Sequence, residues 1–176
     1  EKHCKNMDNP NKATCTDMNV ALSYVYMGYW RYMHMGDEPS LRDFDYFVSL
    51  DADAFLTQPM PDPFQIMQSN NLTGIFNMLA YQSASMGNGI QKATEAVASL
   101  EERRNRYLDR RKYNLMDDKG QWTADRTSIW GCFYGGRLDF FRNPRFKKFA
   151  EIVAYYTYRY RTDEQPVIAL AWSLLG

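Results

Sequence analysis

The stretch that decides the fold is Asp45-Tyr46-Phe47-Val48-Ser49-Leu50, which runs directly into Asp51-Ala52-Asp53. The aromatic and aliphatic residues of this short run predict a buried strand. Because residues two apart in an extended segment point the same way, the carboxylates of Asp51 and Asp53 can face one site. Close carboxylates repel unless a cation lies between them, and Mg²⁺ or Mn²⁺ often links carboxylates to substrate phosphates. The pattern therefore indicates an enzyme acting on a nucleotide diphosphate, although Asp-x-Asp also occurs simply as a turn cap.

The segments on either side of this strand alternate between helical and strand-like patterns. The sequence predicts a helix from Thr16 to Met33, a short helix through 64–67, strands over 74–79 and 128–134, a helix that begins at Asn143-Pro144, and a last helix over 167–175. Residues 80–127 predict an insertion made of helix and loop. This alternation indicates a single α/β domain over residues 1–176.

Charge and composition argue against several classes of protein. The chain has 176 residues with 21 basic and 21 acidic side chains, so its formal net charge is zero. A nucleic-acid-binding protein normally carries a basic excess, so no nucleic-acid partner is predicted. No apolar run reaches the roughly 18 residues that a membrane-spanning helix needs. Aromatic residues make up 15% of the chain, enough to fill a core or to line a cleft for a flat polar ligand.

The three cysteines do not form a recognisable metal motif. No Cys-x-x-Cys is present and the two histidines are poorly spaced for zinc. Cys4 and Cys15 bracket a polar segment, and they are either a short disulfide loop in an oxidising compartment or two free thiols. Asn71-Leu72-Thr73 is an N-glycosylation sequon, a pattern that is also common by chance.

Two further polar features accompany the acidic motif. Asp163 and Glu164 precede the last predicted helix, where a carboxylate could turn back to the same cleft as a metal ligand, sugar-hydroxyl acceptor or base. Acidic residues also simply suit the N-terminus of a helix, and taken alone this second explanation is favoured. Gly135-Gly136 follows a predicted strand and permits either close approach of a ligand to the backbone or a tight turn.

Several short motifs occur along the chain in a fixed order: Tyr29-Trp30-Arg31-Tyr32, Leu41, Phe44-Asp45-Tyr46-Phe47, Asp51-Ala52-Asp53, Asp62-Pro63-Phe64, Asn70-Asn71, Gly74-Ile75, Leu138-Asp139-Phe140-Phe141-Arg142 and Gln165-Pro166-Val167. In their order and spacing they resemble the fungal α-1,2-mannosyltransferase family related to the yeast killer-toxin-resistance mannosyltransferases (glycosyltransferase family 15). The resemblance covers roughly residues 20–175 and is interrupted around 80–125.

The resemblance implies the GT-A fold of nucleotide-diphospho-sugar transferases, without its first N-terminal strands, which would precede residue 1. It implies a metal-dependent glycosyltransferase that transfers mannose from GDP-mannose to a hydroxyl of a glycan or glycoprotein, with retention of configuration and Mn²⁺ or Mg²⁺ as cofactor. It also implies a Golgi-lumenal catalytic domain of a type II membrane protein, whose anchor would lie in a missing N-terminal part. That compartment would favour a Cys4–Cys15 disulfide and use of the Asn71 sequon.

The matched motifs also imply which residues bind the donor. Asp51 and Asp53 are predicted to hold the metal ion and the donor diphosphate, with Asp163 as a further metal ligand. Arg31 and Gly135 are predicted to contribute to binding of the nucleotide sugar.

The predicted catalytic residues are Glu164, Asp163 and Tyr134, and here the chain departs from the family. The family's Asn-Phe-Glu, whose Glu is a candidate nucleophile, aligns with Cys132-Phe133-Tyr134, and its metal-binding His aligns with Ile168. These departures leave a second hypothesis open, namely a non-catalytic carbohydrate-binding or pseudo-glycosyltransferase domain. A phosphatase is disfavoured because the sequence after the acidic motif is not typical of one.

Overall fold

The structure, a computed structural model, describes residues 22–82, 126–129, 131–157 and 164–175. Their elements in chain order are α1 (Leu22–Met33), two short 3₁₀ turns (Met35–Asp37 and Pro39–Leu41), β1 (Tyr46–Leu50), α2 (Pro63–Ser69), β2 (Gly74–Phe76), β3 (Leu79–Gln82), β4 (Arg126–Ile129), β5 (Phe133–Arg137), α3 (Leu138–Arg142), α4 (Pro144–Thr157) and α5 (Glu164–Leu175). None of the helices within these ranges is long and apolar enough to cross a membrane.

A three-stranded sheet in the order β1-β5-β2 lies at the centre of the described residues. The middle strand β5 is antiparallel to both neighbours, with Ser49 opposite Tyr134 and Ile75 opposite Gly135. A Cβ at Gly135 would lie 2.7 Å from the Phe47 carbonyl oxygen, so the close pairing of β5 with β1 requires glycine there. Strands β3 and β4 form a separate antiparallel pair.

One face of the sheet is covered by α1, α4 and α5, and the core lies between them. Phe47 of β1 and Phe141 of α3 meet edge to face with ring centroids 5.4 Å apart, and Phe141 in turn meets Phe146 of α4 at 4.8 Å. Edge-to-face contacts at these distances add to the stabilisation from burying the rings. The buried residues of this cluster are Tyr32, Met35, Ile129, Tyr134, Phe140, Phe141, Phe146, Phe149, Ala150, Val153, Val167, Ile168, Leu170 and Ala171.

The chain between α1 and β1 is fixed by Arg142 at the end of α3. Its guanidinium donates to the carbonyl oxygens of Gly36 (3.0 Å), Leu41 (2.7 Å) and Phe44 (3.3 Å). Gly36 and Leu41 lie in the two 3₁₀ turns and Phe44 lies between the second turn and β1, so one side chain binds carbonyls along the whole connection. This connection holds the start of β1, and with it the position of the acidic motif that follows β1.

The short helix α2 is present as predicted, but it begins at Pro63, one residue before the predicted 64, and extends to Ser69. The Asp62 carboxylate accepts hydrogen bonds from the backbone N–H groups of Phe64 (2.8 Å) and Gln65 (3.3 Å), and Pro63 occupies the first turn.

Leu50, Phe133 and Ile75 share the face of the sheet opposite the main core, because alternate residues point to opposite faces. The helix α2 lies on that face.

Two predicted strands are wrong in their extent. The prediction over 128–134 fuses β4, which ends at Ile129, with β5, which begins at Phe133, and a turn at Gly131-Cys132 separates them. The prediction over 74–79 likewise joins β2, which ends at Phe76, to the start of β3. Apolar periodicity continues across both breaks, so the pattern alone does not show where the chain changes sheet.

The predicted helix starts agree more closely with the structure than the predicted strand ends. Helix α4 begins at Pro144, with the Asn143 side chain accepting from the Arg145 backbone N–H at 2.8 Å. Helix α5 begins at Glu164, earlier than the predicted 167, because Pro166 fits within a first turn that needs no N–H from it. Thr16, the Cys4–Cys15 pair and most of the predicted insertion lie outside the described residues.

Candidate active site

The Asp51-Ala52-Asp53 motif forms a turn at the end of β1. The Asp51 backbone N–H donates to the Cys132 carbonyl oxygen at 3.1 Å, and the Asp51 carbonyl accepts from the Ala54 N–H at 3.0 Å. Asp51 is half-buried and Asp53 is exposed. The backbone of the motif is therefore anchored to the neighbouring strand connection, while both residues keep access to solvent and to a ligand.

Arg31 reaches the same region from α1. One of its guanidinium nitrogens, Nη1, contacts Oε1 of Glu164, the first residue of α5. The Glu164 side chain is only 1% exposed, whereas that of Arg31 is 19% exposed. A buried carboxylate is costly unless it is paired, so this ion pair accounts for a charged residue in the core.

Glycine makes room for this carboxylate on the side of α1. A Cβ at Gly28 would lie 3.1 Å from Glu164 Oε2 and 3.6 Å from the Glu164 backbone nitrogen. The Gly28 position is itself buried, so α1 and the start of α5 approach closely there. Glu164 Oε2 has no hydrogen-bond partner among the described residues, so no hydrogen bond there offsets the water that this buried oxygen loses on folding.

Tyr134 is the third residue of this group, beside Arg31 and Glu164. It is fully buried in β5, directly opposite Ser49 of β1, and its hydroxyl makes no hydrogen bond with the described residues. Burial raises the pKa of Tyr134 to about 12; the positive charge of Arg31 opposes this shift and the nearby Glu164 carboxylate adds to it. The phenol is therefore neutral under physiological conditions.

The electrostatics of Arg31 connect this cluster to the acidic motif. Burial opposes the positive charge of Arg31, but Tyr134, Glu164 and Asp51 together outweigh burial and hold the pKa of Arg31 above its usual value. Ser49 and Asp51 are two residues apart along the chain where β1 ends, so they lie on the same side as Tyr134. We call Arg31, Ser49, Tyr134 and Glu164 the Arg31 cluster.

The structure thus brings together Arg31, Tyr134 and Glu164, with Asp51 close enough to influence Arg31. Gly135 lies within the sheet against the β1 backbone, a contact that by itself explains the glycine, and its role in donor binding stays a prediction. Asp163 lies outside the described residues. Within the described ranges, no group of three or more His, Cys, Asp or Glu side chains is placed to hold a metal ion.

Sequence reasoning missed two members of this arrangement. Gly28 interrupts an otherwise apolar helix face, and Ser49 is the polar residue within an apolar strand. Both breaks in the pattern mark positions that face the buried Glu164 or Tyr134, so they are the signals that could have revealed the cluster. Ile168, which the resemblance aligns with the family's metal-binding His, is fully buried in the core.

A pocket of about 380 Å³ opens on the opposite face of the sheet, beside the acidic turn. Its lining is apolar apart from Asn77 and Cys132, which are joined by a hydrogen bond from Asn77 Nδ2 to Cys132 Sγ at 3.2 Å. The remaining lining residues are Leu50, Ala54, Phe55, Leu56, Met60, Pro61, Pro63, Ile66, Ile75, Phe76 and Phe133.

Comparison with known proteins finds similarity in structure only. No protein-family profile matches the sequence, and no curated protein matches it. Core-mannan synthase A (CmsA/Ktr4) from Aspergillus fumigatus, solved in an Mn/GDP form, is similar with a TM-score of 0.74 and 20% identity, over 90% of this chain and 45% of that one. The mannosyltransferase Ktr4p from S. cerevisiae in complex with GDP is similar with a TM-score of 0.72 and 20% identity, over 91% of this chain and 43% of that one.

The fold is therefore that of fungal mannosyltransferases, and the predicted α/β GT-A class is confirmed. A second structure of Ktr4p is similar to this chain with the same TM-score of 0.72. The resemblance inferred from the motifs is therefore confirmed at the level of the fold. The chain spans less than half the length of these proteins.

Proposed function

We propose that this chain is part of a divergent member of the fungal mannosyltransferase family, and that it belongs to a metal-dependent glycosyltransferase. The proposed reaction transfers mannose from GDP-mannose to a hydroxyl group of a glycan or glycoprotein. The observation that carries this proposal is the similarity of about nine-tenths of the chain to the Mn/GDP form of a mannosyltransferase. The placement of Asp51 and Asp53 in an accessible turn after β1 supports it.

The residues at this turn fit a divalent cation that is shared with a diphosphate. Asp51 and Asp53 offer carboxylate oxygens on an anchored backbone, and Mn²⁺ or Mg²⁺ is often held by one or two carboxylates, with phosphates and water completing its coordination. When bound, the cation would stabilise the negative charge that develops on the departing diphosphate.

The chain's own side chains have separable roles in this scheme. Asp51 and Asp53 would orient the diphosphate by fixing the position of the cation, while the partly exposed guanidinium of Arg31 would donate to phosphate oxygens. Asp163 remains a predicted metal ligand and catalytic residue. Tyr134 and Glu164 are buried, which favours an indirect contribution over direct contact with a sugar.

Donor binding is tested by thermal unfolding with Mn²⁺ and GDP together and with each alone. Saturation at about 100 times Kd contributes about 2.7 kcal/mol, which raises the Tm of a domain of this size by about 5–10 °C. We expect this shift in the wild-type chain and not in Asp53→Ala. Asp43→Ala, which removes one exposed carboxylate outside the motif, is the matched control and should retain the shift. The absence of a shift with GDP and Mn²⁺ in the wild type would refute the proposal.

A non-catalytic, sugar-binding domain is the second candidate function. The observation that favours it is the buried, neutral Tyr134 at the position of the family's candidate nucleophile Glu. Release of GDP from GDP-mannose in the presence of a mannoside acceptor separates the two functions. Binding of GDP without turnover would identify the non-catalytic form.

We also propose that the chain resides in the Golgi lumen, within a type II membrane protein. The sequon at Asn71 is accessible for glycosylation in this compartment because Asn71 is exposed. Expression through a secretory pathway should give a mass that falls after treatment with an endoglycosidase. Thr73→Ala should remove the difference, and an unglycosylated wild-type chain would contradict this assignment.

A further inference from the structure

The Arg31 cluster contains a carboxylate that a substrate cannot reach. Glu164 is fully buried at the start of α5, packed against the Gly28 backbone on one side and in contact with the Arg31 guanidinium on the other. A group so enclosed cannot accept a proton from a sugar hydroxyl without a rearrangement of α1 or α5. Its effect on a bound substrate must therefore pass through a neighbour that the substrate can touch.

Arg31 is that neighbour. It is the partly exposed member of the ion pair, and the Asp51 carboxylate is near enough to influence its charge. A guanidinium is planar and has five N–H donors, so one edge can contact Glu164 while other donors point elsewhere. Tyr134 lies beside the guanidinium, and Tyr134 and Glu164 together limit the orientations open to Arg31.

We propose that Glu164 is a positioning residue, which acts by holding the Arg31 guanidinium toward the Asp51 turn, where Arg31 recognises the β-phosphate of a nucleoside diphosphate. This inference rests on the proposed function, since it assigns to Arg31 the recognition of a phosphate within the same site. It assigns Glu164 no proton transfer. A charge-assisted bond from an oriented arginine to a phosphate is among the stronger contacts that a site of this kind can make.

The test measures how well the chain distinguishes GDP from GMP in the presence of Mn²⁺. Glu164→Gln keeps the shape of the side chain and removes the charge that orients Arg31. We expect it to weaken GDP binding by about tenfold to a hundredfold, the range for loss of a hydrogen bond to a charged group, while the Kd for GMP changes less than about threefold. Asp37→Asn, which breaks the exposed pair with Lys147, is the control and should leave both constants unchanged.

The ratio of the Kd values for GDP and GMP shows whether Glu164 positions Arg31 or has only a structural effect. If Glu164→Gln weakens GDP and GMP equally, or changes neither, the inference is overturned while the proposed function stands. If the wild-type chain binds no GDP with Mn²⁺, the inference and the proposed function are both overturned. Should Glu164→Gln fail to fold, Arg31→Lys decides instead, because it keeps the positive charge next to Glu164 and loses the planar set of donors. An undiminished preference for GDP in Arg31→Lys would overturn the inference.

Discussion

Replacement of Gly74 by alanine tests how β2 packs against α5. A Cβ at this position would lie 2.2, 2.4 and 2.6 Å from the Cζ2, Cε2 and Cη2 atoms of the Trp172 indole. Carbon atoms in contact are about 3.5–4.0 Å apart, so the added methyl group overlaps the ring by about 1 Å. The indole cannot bend out of the way, and moving it would shift α5 or the edge strand β2. Overpacking of this kind costs about 1–3 kcal/mol.

The corresponding change at Gly131 provides a matched control. A Cβ there would lie 2.1 Å from Nε2 of Gln165, an approach as close as that at Gly74. The atom it meets is the end of a flexible side chain, which can rotate away at a cost of about 0.5–1.5 kcal/mol. Gly74→Ala should therefore destabilise the chain by more than Gly131→Ala, although the added methyl group would approach its neighbour equally closely at both positions.

Urea unfolding followed by circular dichroism measures both changes, and thermal unfolding should show a loss of about 2–12 °C for Gly74→Ala. Trp172→Phe removes the ring atoms nearest to Gly74, so in the double variant the cost of the alanine should fall by at least about 1 kcal/mol. Equal costs at Gly74 and Gly131, or an unchanged cost of Gly74→Ala in the Trp172→Phe background, would refute this account of the packing.

Three further predictions concern stability. Arg142→Ala, which removes three hydrogen bonds to loop carbonyls, should cost about 2–4 kcal/mol in urea unfolding, whereas Lys148→Ala in an exposed pair should cost less than about 1 kcal/mol. Tyr134→Phe should stabilise the chain by about 1 kcal/mol at pH 7, since it removes a buried hydroxyl without a partner. Folding favours the neutral phenol, so wild-type stability should fall between pH 10 and about 12 relative to Tyr134→Phe, and parallel pH profiles would contradict the raised pKa. Asp62→Ala should cost about 1 kcal/mol through loss of the α2 cap, measured by the same unfolding assay.

Local signals are sufficient for much of the fold. The apolar run 46–50 forms a strand as predicted, since its residues are strong β-formers, but the strand is half-buried rather than buried and Leu50 is exposed. Asp62-Pro63 and Asn143-Pro144 mark the starts of α2 and α4, since both the cap and the proline act within the first turn. The geometry of the acidic motif differs from the prediction, because an extended segment would direct both carboxylates to one side, whereas the Ala54 N–H bonds back to the Asp51 carbonyl and the motif forms a turn.

The Arg31 cluster could not be predicted in the same way. Arg31 and Glu164 are separated by 133 positions in the chain, and only the packing of α1 against α5 brings them together. From sequence alone, an acid at the start of a helix is explained by the helix dipole, which gives no hint of burial. The split between β4 and β5 escapes prediction for a related reason, because strand pairing between distant segments decides which sheet each half joins.

The charges gathered at the site explain why metal dependence is the deciding measurement. Glu164 and Arg31 neutralise each other, so Asp51 and Asp53 leave the described part of the site with a formal charge of about −2. A nucleoside diphosphate, itself an anion, would be repelled by this turn unless a divalent cation compensates both partners. A neutral glycan would experience no such repulsion and would need no metal. Stabilisation by GDP that requires Mn²⁺ and Asp53 therefore supports a nucleotide-sugar site, and turnover then separates the transferase from its non-catalytic form, whereas metal-independent stabilisation by a mannoside without any by GDP supports a carbohydrate-binding domain.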